Sequence, residues 1–180
     1  MRYSSRIITK LLLACLFTFL SLSQSSFAAE VLDDEGTVVR LDRPAERIIS
    51  LAPSLIELLV AAGDSSKMVG VVDYSDYPPQ AETLPIIGRH DLLDMEKILQ
   101  LSPDLVVAWQ SGNPRASVNR LRELGITVYI AEPKNLASIP SHLRRLAVLA
   151  GTETSVDRVI DDFGAKLGAL SEKFRHKSPV

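Results

Sequence analysis

The chain has 180 residues, 46% of them hydrophobic, with a formal net charge of −2 and one cysteine, Cys15. That length and apolar fraction suffice for one domain with a proper core. The charge, and the lack of any Lys/Arg-rich run, argue against a nucleic-acid partner.

In chain order, Arg2, Arg6 and Lys10 form a basic stretch and residues 11–22 an apolar one. Ser26-Phe27-Ala28 follows as a small-x-small cleavage site. Residues 1–28 therefore read as a secretory signal peptide. A membrane anchor fits less well, because the apolar run is short for a span and no basic stop-transfer cluster follows it. Leu12-Leu13-Ala14-Cys15 resembles a lipoprotein cleavage box, but the apolar run continues past Cys15, which argues against lipidation. Cleavage after Ala28 leaves 17 of the 20 Lys and Arg against 22 Asp and Glu, a net charge of −5. The mature chain then has no cysteine and no disulfide. An exported, mildly acidic globular protein is the class.

The mature chain opens with a small hairpin over 31–41, turned by Asp34-Glu35-Gly36 and ended by Pro44. Residues 47–51 form a short apolar strand closed by Pro53. Ser54 and Glu57 fit a capping box for a helix that carries Leu58, Leu59 and Ala62 and stops at Gly63. Val69, Val71 and Val72 make the next strand, which runs into Asp73-Tyr74-Ser75-Asp76-Tyr77 and meets Pro78-Pro79. Proline cannot donate to a ladder and holds the preceding residue extended, so the chain leaves the sheet there.

Residues 84–87 read as a weaker strand and Gly88-Arg89-His90-Asp91 as a loop. Asp94 caps a short helix over 95–101. A strand over 105–108 leads into the loop Trp109-Gln110-Ser111-Gly112-Asn113-Pro114. A helix over about 115–124, a strand over 127–130 and a helix over about 138–150 follow. The last helix, about 155–173, carries Val156, Val159, Ile160, Phe163, Leu167 and Leu170 as its apolar stripe. This alternation predicts an α/β fold with a doubly wound, mostly parallel sheet over 29–154, then a long helix over 155–174. Residues 175–180 read as the start of something further, a chain interrupted before its next strand. No internal repeat, low-complexity tract or coiled-coil heptad series is visible.

Enzymatic chemistry finds little support. No G-x-G-x-x-G follows a strand, and no P-loop or G-x-S-x-G motif occurs. His90, His142 and His176 are too scattered for a typical metal site. His142 is expected on the exposed part of its helix and His176 in a frayed tail. A binding protein is the better default, with no catalytic residue and no metal.

The informative residues sit at strand ends. In an open α/β sheet the carboxyl-end loops converge on one rim, where ligands bind. That rim would hold Tyr74, Tyr77, His90 and Trp109, an aromatic set suited to a large planar or amphipathic small molecule. The residues alone equally allow Asp73–Tyr77 to be a surface turn, and Trp109 to be a core residue plugging the sheet end.

RIISLAPSLIELLVAAG, VGVVDYSDYPPQA and MEKILQLSPDLVVAWQSGNP together resemble the periplasmic cobalamin-binding proteins of bacterial ABC importers, within a class that also binds iron–siderophores and haem. The likeness covers about residues 47–174. The strand followed by APS-x-x-E-L and the PDLV strand mark the class, while Y-S-D-Y-P-P and A-W-x-x-G-N are more specific to the cobalamin branch. The resemblance implies that Tyr74 and Trp109 line a corrin site, with Asp73, Tyr77 and Gln110 as near neighbours. His90 stands where close relatives carry an indole, which leaves a haem or iron–siderophore ligand as the alternative. Glu96 matches a surface glutamate that docks on arginines of the inner-membrane permease.

The same resemblance implies a periplasmic monomer that binds cobalamin non-covalently and needs no cofactor. An exported enzyme on an α/β fold is the remaining alternative. Members of the class have two lobes joined by a long helix. This chain would supply one lobe and the joining helix, as a fragment or as the product of a truncated gene.

Overall fold

The computed structural model describes residues 29–63 and 65–175. The expected signal peptide, His176 and the last residues lie outside that range. The chain runs β1 (Ala29–Leu32), β2 (Val38–Leu41), β3 (Ile48–Ser50), α1 (Pro53–Ala62), β4 (Met68–Val71), β5 (Gly88–Arg89) and β6 (Leu92–Leu93). It continues through α2 (Met95–Leu101), β7 (Leu105–Trp109), α3 (Arg115–Glu123), β8 (Val128–Ala131), α4 (Ile139–Ala150) and α5 (Glu153–Phe174).

A four-stranded parallel sheet in the order β4-β3-β7-β8 forms the centre. Its strands are buried on both faces, as parallel strands between helix layers must be. The alternation along each strand sorts the side chains. Ile48, Leu105, Val107 and Tyr129 join the core under α1, α4 and α5, whereas Ile49, Val106, Ala108, Val128 and Ile130 join the core under α2 and α3. The chain steps from β3 outward to β4, then returns to β7 on the other side of β3. The strand order therefore reverses between β3 and β7, and the crevice at such a reversal is the usual ligand position in open sheets.

Four local expectations differ from the structure. The capping box at Ser54 does not form. The helix begins two residues earlier, at Pro53, with Ala52 as N-cap and no side-chain cap bond, because a first-turn proline needs no amide partner and has its φ preset. Residues 84–87 contribute only a single parallel bridge, Val71 to Ile86. Two backbone bonds, Val71 N to Pro85 O and Ile87 N to Val71 O, hold this segment along the outer edge of β4. The segment 88–93 is a two-stranded hairpin rather than a plain loop.

His142 is the fourth case, being 1% exposed. The turn after β1 lies across α4, so that Arg145 on that helix donates to the Leu32 carbonyl at 3.0 Å and to Asp34 Oδ1 at 2.8 Å. His142, one turn earlier, is covered by the same contact. Arginine has no acceptor. The 3.0 Å contact between Arg145 Nη2 and His142 Nδ1 therefore assigns the ring proton to Nε2.

The closing helix α5 is as long as expected. Val156 and Ile160 are buried against α1 and α4, Phe163 and Leu167 are half-buried, and Leu170 and Phe174 are exposed. At the far end the Lys173 ammonium lies 5.6 Å from the Phe174 ring centroid.

Candidate functional site

The carboxyl ends of the parallel strands carry three loops on one rim. The first leaves β4. Val72 is fully buried, and beyond it the chain turns outward. The Asp73 amide donates to the Gly88 carbonyl at 2.9 Å and the buried Ser75 hydroxyl to the Val72 carbonyl at 2.5 Å. Between these anchors Tyr74 has φ = +64° and a side chain 84% exposed. A left-handed tyrosine costs about 1–2 kcal/mol relative to ordinary backbone geometry. Glycine would fill a mere turn more cheaply, so a tyrosine held there and presented to solvent points to function. Tyr77 is 62% exposed and precedes a cis peptide bond to Pro78. Asp73 is half-buried and Asp76 exposed.

The second loop is the β5–β6 hairpin, bound at its base to Asp73. His90 is exposed at its tip, between Arg89 and Asp91, whose side chains pair at 2.6–2.9 Å. This pair holds the Asp91 carboxyl below its usual range and Arg89 above its own. Leu92 is also exposed.

The third loop leaves β7. Trp109 is the last residue of the strand rather than the first of the loop, and it is half-buried, packed at the margin of the α1–α4–α5 core. It is thus part core plug and part rim. Two residues of the A-W-x-x-G-N motif, to which the sequence assigns no individual role, fix its position. A methyl group at Gly112 would come within 1.8 Å of the indole Cε3, so the ring lies directly on the Gly112 backbone. Asn113 Oδ1 accepts from the Trp109 amide at 2.6 Å, while Asn113 Nδ2 donates to the Leu51 and His90 carbonyls at 3.0 and 2.9 Å. Glu132, just beyond β8, accepts from the Ser111 amide and hydroxyl at 2.8 and 3.0 Å, and Gln110 is half-buried beside it. Glycine and asparagine in W-x-x-G-N therefore have separate physical reasons, ring approach and loop pinning, and their spacing from the tryptophan was the available signal.

Gly112→Ala tests the ring contact. It is expected to expel the indole and cost about 1–3 kcal/mol, as overpacking does. Because the chain has one tryptophan, a red shift of the emission reads the displacement directly.

The rim thus gathers Asp73, Tyr74, Tyr77, His90, Trp109 and Gln110. It does not include Glu96, which is exposed in the first turn of α2, with Gln100 Nε2 donating to its Oε1 at 3.3 Å. Asp94 caps that helix as expected, accepting from the Lys97 amide at 3.0 Å. Among the described residues no cluster of His, Cys, Asp and Glu is arranged to hold a metal ion.

A parallel sheet with helices on both faces, an aromatic rim at its carboxyl edge and a long helix closing the chain is the architecture of a binding-protein lobe. Residues 48–180 match the periplasmic binding protein family model, and the chain belongs to that family. It is 40% identical over 137 residues to the vitamin B12-binding protein of Vibrio cholerae serotype O1, covering 76% of this chain and 50% of that protein. It is 36% identical over 135 residues to the vitamin B12-binding protein of Yersinia pestis, covering 75% of this chain and 48% of the relative. The crystal structure of periplasmic vitamin B12 binding protein BtuF of Vibrio cholerae superposes with a TM-score of 0.70, covering 76% of this chain and 54% of that one. The periplasmic heme-binding protein RhuT from Roseiflexus sp. RS-1 superposes with a TM-score of 0.67 at 27% identity, covering 75% and 52%. The chain spans about half the length of the curated relatives it matches.

Proposed function

We propose that this chain is the amino-terminal lobe of a periplasmic cobalamin-binding protein, which holds the vitamin non-covalently and delivers it to an inner-membrane ABC permease. On this reading residues 1–28 direct export, residues 29–154 form the lobe and residues 155–174 the linker helix. The observation that carries the reading is the Tyr74 backbone, joined to 40% identity with a vitamin B12-binding protein. Tyr74 and Trp109 supply aromatic contact to the corrin face, and Asp73, Tyr77, His90 and Gln110 surround them. Glu96 docks on permease arginines, and its exposure leaves it free to do so. Binding is the whole activity, and the protein works as a monomer.

Haem is the second reading. It is favoured by the exposed imidazole of His90 on the rim and by the likeness to heme-binding relatives at 27% identity.

Nuclear magnetic resonance on labelled residues 29–180 tests the proposal, because shift perturbation detects weak binding. Millimolar cyanocobalamin is expected to move signals of residues 73–77, 88–93 and 109–113 and to leave the β1–β2 hairpin unmoved. Haemin moving those signals where cyanocobalamin does not would transfer the assignment to haem. Tyr74→Gly is expected to abolish the corrinoid shifts while raising stability by about 0.5–1 kcal/mol, since relief of the left-handed strain exceeds the entropy cost of glycine. Stability gained with binding lost is the outcome that separates a ligand residue from a turn residue.

A further inference from the structure

We propose that Asn113 is the positioning residue of the rim, closing the strand-order crevice with its own side chain and tying the Trp109 loop and the His90 hairpin into one rigid platform. Its consequence for a ligand rests on the corrinoid-lobe reading above; the tie itself is independent of any ligand.

The argument begins with burial. Asn113 is 5% exposed, so each of its polar groups must find a protein partner or carry a desolvation cost. All of them have one. Oδ1 accepts from Trp109 N at the end of β7, and Nδ2 donates to Leu51 O at the end of β3. Those two strands are neighbours, and the strand order reverses between them. The amide therefore spans the crevice that doubly wound sheets commonly leave open to ligand. The second Nδ2 proton reaches His90 O in the β5–β6 hairpin, 23 residues earlier in the chain. No other side-chain bond reaches that hairpin from outside it among the described residues. Its base is held by backbone bonds alone, from Asp73 N to Gly88 O and from Asp94 N to Ile87 O.

The chemistry demands asparagine. One acceptor and two donors on a short planar group match an amide, one carbonyl below and one carbonyl across. Aspartate keeps the acceptor and faces both carbonyls with lone pairs. Leucine keeps the shape and loses all three bonds. With the crevice filled, a bound molecule lies on the platform of Tyr74, Trp109 and the hairpin instead of entering between the strands.

Asn113→Asp and Asn113→Leu in residues 29–180 separate the two arms, read by amide hydrogen exchange at neutral pH without ligand. In the Asp variant the Trp109 amide is expected to stay within about twofold of wild type, while amides of 88–93 exchange about tenfold faster, the equivalent of one lost hydrogen bond. Acidification should restore part of the hairpin protection, because the protonated carboxyl regains one donor. In the Leu variant both the Trp109 amide and 88–93 should lose protection, with Val106 and Val107 at the sheet centre unchanged. Unchanged 88–93 exchange in both variants overturns the proposal. So does a uniform loss that includes Val106 and Val107, which marks general destabilisation. If the Leu variant fails to fold, the Asp variant decides alone. Failure of corrinoid binding leaves these readouts untouched.

Discussion

Calorimetric titration of residues 29–180 with cyanocobalamin is expected to return a dissociation constant of roughly 0.1 mM or weaker. Small-molecule sites in proteins bury about 70–90% of the ligand surface, and the rim offers one face. Tyr74 and Tyr77 stand largely in solvent, 84% and 62% exposed. A two-jawed site of nanomolar affinity amounts to about −12 kcal/mol, and an even division leaves about −6 kcal/mol, tens of micromolar. The cost of immobilising the ligand is not halved with the contacts, which pushes the result weaker still. Restoring a second jaw, by fusing residues 29–174 to the carboxyl-terminal half of the Vibrio cholerae relative, is expected to strengthen binding by several orders of magnitude. A sub-micromolar constant for residues 29–180 alone would show that one face suffices and would overturn the half-site reading.

The distal part of the α5 stripe, about half exposed, fits the same reading in packing terms. Val156 and Ile160 lie in the core, while Leu170 and Phe174 project into solvent. Apolar side chains at this spacing are seldom left open over several turns. In the two-lobe reading a second lobe covers them.

What the sequence made legible were features determined by neighbours along the chain. The strands over 48–50, 68–71, 105–109 and 128–131 follow from runs of β-branched and aliphatic residues, and the closing helix follows from its stripe. Features determined by distant partners were not legible. The β5–β6 hairpin depends on Asp73 and Asn113, so residues 88–91 read as a plain loop. The left-handed backbone of Tyr74 is imposed by anchors at Gly88 and Val72, not by any turn residue. His142 was readable in principle. It lies four and seven residues before Leu146 and Leu149, on the buried face of α4, but a histidine breaks an apolar pattern and was placed outside. The aromatic composition of the rim was legible, whereas the glycine and asparagine that hold it were not, since their partners are a ring and two remote carbonyls.

That buried histidine yields the second large effect. Burial, the largest cause, pushes the His142 imidazole below its ordinary value; Asp34 offsets this in part and Arg145 adds to it, with Glu132 opposing more weakly. The assigned tautomer accounts for the Arg145 contribution, because a second proton would sit on Nδ1 facing the Arg145 guanidinium. His142 Nε2 and Asp34 Oδ2 are 3.6 Å apart, beyond a good hydrogen bond, so the carboxylate compensates poorly. The folded chain then binds this proton less readily than the unfolded chain does. Stability is therefore complete above about pH 6.5 and falls as pH drops below it, by up to about 1.4 kcal/mol per pH unit for the one site. Urea midpoints are expected to decline between about pH 7 and about pH 5, above the range in which ordinary carboxylates titrate. His142→Gln retains an acceptor for Arg145 and cannot titrate, so it should flatten that decline while costing about 1 kcal/mol at neutral pH from imperfect packing. A wild-type midpoint that holds steady across this window, or a variant that declines in parallel, would remove His142 as the source. The coupling matters to the rim because Asp34 Oδ2 also accepts from the Glu132 amide at 2.6 Å, and the Glu132 side chain holds Ser111. Acid that loosens the His142 contact therefore acts two bonds from the Trp109 loop.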